Sequence, residues 1–484
     1  MKNNHLIFDV EETPKFGQLL IFALQQVLAI LAATIAVPTI IGIPTQIPAA
    51  ILGAGIGTLV YQLFTRRKSP VFLGSSFAFL GSLGVAIAYG YCGILLGSIV
   101  AGLVYVVIAA VIHFTGTNWV DKLMPPVIIG PTVALIGLSL AGAAMSDIVK
   151  ANSSASFGTY NLLSLLCGLV AFVTIIICST QKKIRMARLI PFIIGIAAGY
   201  LVAAIFTTIG IFADVDYMKI IDFKPVVNNF VNDDGTFKGI TAFVNYPRFA
   251  LLEGIKELRT GTMSPEILDA TKNSAKTLDA GGVVEVIIAF LPVALVVFAE
   301  HIADHKNLSS IIERDLIKEP GLKRTLLGDG VGSICGTIFG ICPNTTYGES
   351  VGCVAITRNA SVATITTTAF MCIILSFISP VMAVLQTIPS CVMGGVCLTL
   401  YGFIAVSGLK MFKDLDLNKN TNLFVVAAIL ITGIGGLSIQ IPYAFNAKGV
   451  AAAITITPIA TALIIGILTN LVLTKIENSK FGKE

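Results

Sequence analysis

Apolar runs separated by short polar breaks fill most of this chain. Crossing a bilayer as a helix takes about 20 predominantly apolar residues. By that measure the sequence carries fourteen segments: 17–40, 47–64, 71–91, 93–114, 125–145, 160–179, 188–212, 283–303, 325–342, 345–360, 361–380, 384–408, 422–441 and 449–474. The expected fold is an all-α polytopic membrane protein, with the third and tenth segments short or interrupted.

Residues 213–282 form the one long hydrophilic stretch and divide the segments into two groups of seven. Seven is odd, so the second group enters the membrane from the opposite face. That predicts two inverted repeats, a common architecture of secondary transporters. The interrupted segments fall at matching places. The third opens Pro70-Val-Phe-Leu-Gly-Ser-Ser-Phe-Ala-Phe79, and the tenth opens Pro343-Asn-Thr-Thr-Tyr-Gly-Glu-Ser-Val-Gly352. Non-helical backbone at membrane depth persists only where protein or a water-filled cavity surrounds it. The pair therefore marks a candidate substrate site.

Composition sharpens this picture. Of 484 residues, 55% are hydrophobic and 12% charged, with a mean hydropathy of +0.88; soluble domains carry about 25% charged residues. The formal charge of +5 is small and suits loop anchoring rather than nucleic-acid binding. The nine cysteines lie in or beside apolar runs without zinc-site spacing, as reduced packing residues would. Short inner loops hold Arg66, Arg67, Lys68, then Lys182, Lys183, Arg185 and Arg188, and later Lys306 to Arg324, Arg358, Lys410 to Lys419 and Lys475 to Lys483. Outer loops hold little beyond Lys150 and Lys448. The asymmetry predicts a multi-pass plasma-membrane protein with both termini cytoplasmic. Asp9, Glu11 and Glu12 precede the first run without a cleavage pattern, so no leader is expected to be removed.

Several ionisable residues sit where they are costly. The eighth segment ends Phe298-Ala-Glu-His-Ile-Ala-Asp-His305. Glu300 and Asp304, four apart, share a helix face, as do His301 and His305. Carboxylates within a membrane segment imply a polar cavity, bound protons or a cation; alternatively the helix ends here and Asp304 and His305 meet cytoplasmic water. The two histidines raise a metal site, but Glu300 precedes His301 rather than following it, and no third ligand is evident, so no metal and no cofactor are expected. Glu349 lies in the tenth segment, and Asp329 between two glycines in the ninth. Gln25 and Gln26 in the first suit interhelical hydrogen bonding.

The runs Leu295-Val-Val-Phe-Ala-Glu-His301, Asp315-Leu-Ile-Lys-Glu-Pro-Gly-Leu322 and Pro343-Asn-Thr-Thr-Tyr-Gly-Glu349 resemble the nucleobase–ascorbate transporters, also called xanthine/uracil permeases. Leu73-Gly-Ser-Ser-Phe-Ala-Phe79 and Pro389-Ser-Cys-Val-Met-Gly-Gly395 strengthen the likeness, which covers nearly all of the chain outside 213–282. The resemblance implies a core domain (17–114 and 283–380) and a gate domain (125–212 and 384–474), with 213–282 as an extracellular insertion. Segments three and ten would contain short strands followed by half-helices. The family's substrate-binding positions fall on Phe77, Glu300, Gly348 and Glu349. Proton coupling falls on Glu300, Asp304 and Asp329, with Gln26, Ser76, His301 and Ser350 behind them. Three residues depart from the family pattern: Ser350 replaces an asparagine, Gln26 a histidine, and Asp304 a histidine of the uracil branch. Asp304 and Asp329 resemble the purine branch, whereas Tyr347 and Glu349 resemble the uracil branch.

Uracil presents alternating N–H and C=O groups. Carboxylates accept from N–H, and backbone N–H groups at strand ends or helix starts donate to C=O. The expected function is import of a nucleobase, uracil first and xanthine as the alternative, by symport with protons (or Na+) and alternating access. Further alternatives are an uncoupled facilitator and an intramembrane metalloenzyme. The expected partners are the base, the coupling ion, the lipid bilayer and, from the resemblance alone, a second copy in a homodimer.

Overall fold

The computed structural model describes residues 6–150, 160–232, 234–446 and 449–481. Lys448 and Lys483, part of the charge asymmetry, lie outside the described residues. The first repeat begins with α1 (Phe16–Ile40) and α2 (Ile47–Phe64). Its third segment opens as strand β1 (Leu73–Ser75) and turns at Phe77–Phe79 into α3 (Leu80–Ala86); α4 (Gly90–Thr115) follows. The short α5 (Asn118–Leu123) leads to α6 (Pro126–Ile148), α7 (Leu162–Thr180), the short α8 (Arg185–Leu189) and α9 (Pro191–Phe212).

The polar linker is folded rather than a plain loop, with α10 (Lys224–Phe230), α11 (Ala250–Thr260) and α12 (Pro265–Ala270). The second repeat then runs through α13 (Ala280–Ile312), α14 (Leu322–Phe339), strand β2 (Asn344–Thr346), α15 (Gly348–Thr357) and α16 (Val362–Ser376). After the short α17 (Ser379–Gln386) come α18 (Ser390–Lys410) and α19 (Asn420–Ile434). The strands β3 (Ile439–Asn446) and β4 (Gly449–Ile456) precede α20 (Pro458–Phe481).

Among the described residues, nine helical stretches are long and apolar enough to cross a membrane, and α16 and α19 are shorter apolar helices. Phe77–Thr115 spans both α3 and α4, and α14 and the β2–α15 unit supply the remaining crossings. The fourteen segments thus form two inverted repeats. α1, α2, α4, α13, α14 and α16 pack as one bundle, and α6, α7, α9, α18, α19 and α20 as another. α13 also touches α6 and α20, and α1 touches α9 and α18.

Two local outcomes differ from the hydrophobic pattern. Asp304 and His305 are buried, because α13 continues to Ile312 instead of ending near residue 303. The ends of segments thirteen and fourteen form the antiparallel β3–β4 pair. Pro442 breaks helix there, and β-branched Ile439, Ile441, Val450, Ile454 and Ile456 favour strands.

α2 and α14 cross through glycines spaced four apart: Gly53 and Gly57 on one helix, Gly332 and Gly336 on the other, with Gly340 just past its end. Small residues let membrane helices approach closely. A Cβ on Gly53 would overlap the Gly336 carbonyl and stand 3.0 Å from the Gly340 Cα. The Gly53 carbonyl also accepts from Asn344 Nδ2 at 2.9 Å, so this crossing holds β2 in place. Gly53→Leu is expected to cost about 1–3 kcal/mol or more, read as a lower unfolding temperature and a broadened size-exclusion peak of the purified protein. An unchanged unfolding temperature would mean that the crossing tolerates bulk.

Candidate functional site

The site is built on a strand pair at the centre of the first bundle. β1 and β2 run antiparallel, with Leu73 opposite Thr346, Gly74 opposite Thr345 and Ser75 opposite Asn344. Ser76 N–H donates to the Pro343 carbonyl and Tyr347 N–H to the Phe72 carbonyl, each at 3.1 Å, extending the ladder at both ends. Buried backbone groups need such partners where no water reaches them. Thr58 Oγ1 on α2 accepts from Leu73 N–H at 2.9 Å, and Ser333 Oγ on α14 accepts from Asn344 N–H at 2.9 Å. Gly74 is required by its neighbour: a Cβ there would overlap the Tyr347 ring, whose hydroxyl donates to the Ser75 carbonyl at 3.1 Å.

Each strand feeds a helix start at this depth. α15 begins at Gly348, and the turn into α3 begins at Phe77. Gly348 is exposed and a Cβ on it would meet only Asp304, at 3.8 Å, so the start of α15 borders open space. Glu349, in the first turn of α15, is half-buried, as is Glu300 on α13. Glu300 Oε2 is buried and accepts no hydrogen bond. Asp304, one turn along, accepts from Thr346 Oγ1 at 2.8 Å. Glu300 lies within electrostatic reach of Asp304, Asp329 and Glu349, and Asp304 within reach of Asp329 and Glu349. Phe77 is buried, with its ring edge-to-face against Tyr401 of α18 at 5.3 Å and 87°. It therefore reaches across to the second bundle.

A model of the xanthine/uracil permeases, described as "Permease family", matches residues 17–230 and 278–441. Uracil permease of Bacillus caldolyticus is 34% identical over 473 residues, covering 97% of this chain and 95% of that protein. Uracil permease of Escherichia coli K12 is 32% identical over 465 residues, covering 95% and 94%. The chain belongs to the xanthine/uracil permease family. Solved structures show the same fold at low identity. The transmembrane domain of the cyanobacterial bicarbonate transporter BicA matches with TM-score 0.55 at 12% identity, covering 96% of this chain and 99% of that one. The murine anion transporter Slc26a9, in its inward-facing state, matches with TM-score 0.58 at 11% identity, covering 96% and 70%. The permease is thus an integral membrane protein with the inverted-repeat fold of these transporters.

The remaining candidate residues of the permease lie behind the open space. Ser350 Oγ accepts from Gln26 Nε2 and from Phe72 N–H at 3.2 Å, so it clips α15 to α1 and to the approach to β1. Ser76 contributes its backbone to the ladder. Asp329 Oδ2 faces His301 Nδ1 at 2.7 Å and accepts from Thr345 Oγ1 at 3.3 Å. His301 Nε2 lies 3.0 Å from Thr325 Oγ1. His305 Nδ1 faces the His301 carbonyl at 2.8 Å and so carries the hydrogen, leaving Nε2 to accept from Tyr61 at 2.8 Å. Both histidines are therefore committed to protein partners. Among the described residues, no three His, Cys, Asp or Glu side chains gather as metal ligands.

Tyr401, Thr346 and Thr325 were not singled out from the sequence. Thr346 stands in the polar run that marked the site, and its pairing with Asp304 follows once that run is a strand beside α13. Tyr401 carries no such signal, because its role depends on how two bundles meet.

Proposed function

We propose that this permease imports a nucleobase, uracil first, by proton symport with alternating access. The observation that carries the proposal is the placement of two half-buried carboxylates, Glu300 and Glu349, within electrostatic reach of each other beside the exposed helix start at Gly348. The carboxylates would accept from the ring N–H groups, and the helix-start N–H would donate to a ring carbonyl. Phe77 would flank the base. Relatives named uracil permease along nearly the whole chain support the choice of base.

Four carboxylates in a low-dielectric site cannot all stay ionised cheaply. In this reading Glu300, Asp304 and Asp329 share the coupling proton. Protonation and base binding stabilise each other, and the loaded core (17–114 and 283–380) moves against the gate (125–212 and 384–474). The Phe77–Tyr401 contact lies on that boundary. The permease would sit in the plasma membrane as a homodimer, with both termini cytoplasmic.

Asp304 and Asp329, which resemble the purine branch, favour xanthine as the second reading. Competition of labelled uracil uptake by xanthine, uric acid and thymine decides between them. Uracil transport predicts strong competition by unlabelled uracil and little by xanthine; the reverse order would overturn the choice of base. Uptake that never exceeds the external concentration would indicate an uncoupled facilitator, and dependence on Na+ alone would replace the proton.

A further inference from the structure

The linker between the repeats is polar by composition, yet its middle turns apolar side chains outward. In α11, Ala250, Gly254 and Glu257 are buried. Gly254 packs on Cys92 and Leu95 of α4, and Glu257 accepts from Tyr91 N–H at 2.8 Å, capping the α4 start. Helical spacing puts the leucines on the other side. Leu251 is 40% exposed, Leu252 54%, Ile255 43% and Leu258 72%. A helix on a water-facing surface turns its apolar stripe towards the protein. This one faces the protein with a carboxylate and the exterior with leucines.

The position of α11 indicates what covers that face. Its contacts run from Tyr91 to Leu95, one to five residues into α4, so α11 lies alongside the first turn of that helix, within about 8 Å of its start at 1.5 Å per residue. Further along α4, Ile99, Leu103, Val107 and Val111 form an exposed stripe spaced four apart, as lipid-facing residues do. Leu95, on which Gly254 packs, is the preceding member of this series, so α11 covers the start of the stripe with its buried face and turns its leucines outward over it. Phe249, just before α11, packs edge-to-face on Phe339 of α14 at 5.9 Å, and Phe339 is itself exposed. Phe243, Val244 and Tyr246, earlier in the linker, are exposed as well. Lys256 and Arg259 are exposed beside the leucines.

We infer that α11 is an interfacial membrane anchor, with Leu251, Leu252, Ile255 and Leu258 seated in the leaflet at the α4 start and Lys256 and Arg259 reaching lipid phosphates. Such helices bury their apolar face about 5–10 Å into the headgroup and acyl boundary, and long cationic side chains extend to the headgroups. Residues 231–277 lie between the two stretches that match the family model, so α11 stands outside the part of the chain that defines the family. The inference rests on the linker alone and does not depend on which substrate is carried.

The test uses the full permease in liposomes. Trp119 is the only tryptophan, so Ile255→Trp and Leu258→Trp are each made with Trp119→Phe, and Lys256→Trp serves as the polar-edge control. Uptake by the Trp119→Phe parent verifies folding. Lipids brominated on the acyl chain are expected to quench the two apolar-face tryptophans at least about two-fold, more than the control, at all protein-to-lipid ratios. Quenching by aqueous iodide instead of by brominated lipid would place α11 in water and overturn the inference. Lipid quenching that vanishes as the protein becomes crowded would mean that a second copy covers the face, and would overturn it equally.

Discussion

Glu300→Gln is expected to abolish accumulation of uracil driven by a pH gradient while weakening uracil binding by no more than about 2–10-fold, because the amide resembles the protonated carboxyl and alters at most one neutral hydrogen bond of about 0.5–1.5 kcal/mol. The substitution keeps the size of the side chain and removes its charge. Glu300 is half-buried on α13, and its buried Oε2 has no partner in the protein, so it is free to accept from a ligand. It also stands within reach of the charges of Asp304, Asp329 and Glu349. If protons drive uptake, acidifying the outside raises transport by the wild type, because protonation relieves that repulsion as the base binds. The variant cannot take up this proton, and its residual uptake is expected to be flat across the same pH range. Proteoliposome uptake at several external pH values measures both effects. Unchanged proton-driven accumulation in the variant would remove Glu300 from the mechanism.

Gly74→Ala is expected to reduce uptake to near background although it adds only one methyl group. The new Cβ would overlap the Tyr347 ring. Tyr347 has little room to yield, since its hydroxyl bonds the Ser75 carbonyl and lies 3.4 Å from Thr34 Oγ1. Tyr347 is also the residue immediately before α15, so displacing it moves Gly348 and Glu349. Overpacking typically costs about 1–3 kcal/mol, here concentrated on the strand pair. Adding Tyr347→Ala should recover part of the lost stability and binding, giving a coupling energy of at least about 1 kcal/mol in a double-mutant cycle. Additive effects would show that the two positions act independently.

The architecture was legible because membrane segments announce themselves. Length, hydropathy and the paired interruptions at Pro70–Phe79 and Pro343–Gly352 mark the segments and the crossing before any geometry is known. Glu300 and Glu349 stand out because a carboxylate in an apolar run has few structural reasons to be there. Asp304 was ambiguous for a physical reason: a helix continuing to Ile312 through polar residues cannot be told by hydropathy from one that ends. Its burial follows from the packing of α13, beside the Asp329–His301 contact.

The linker shows the opposite failure. Its composition reads as hydrophilic and external, yet α11 presents leucines outward because Gly254 and Glu257 occupy the face against α4. Windowed hydropathy averages such a helix to neutrality. The β3–β4 pair was likewise missed, since a short run of β-branched residues is apolar enough to pass for the end of a spanning helix. The Phe77–Tyr401 contact joins residues more than three hundred positions apart, and it exists only through the arrangement of the two bundles.

Proton uptake accompanying uracil binding tests the central claim most directly. Titrating uracil into the purified permease in buffers of different ionisation enthalpy should show about one proton taken up per uracil bound near neutral pH. Glu300→Gln should abolish that uptake while residual binding persists. Wild-type binding with no net proton uptake, or uptake that survives in Glu300→Gln, would contradict a site in which this carboxylate couples the base to the proton.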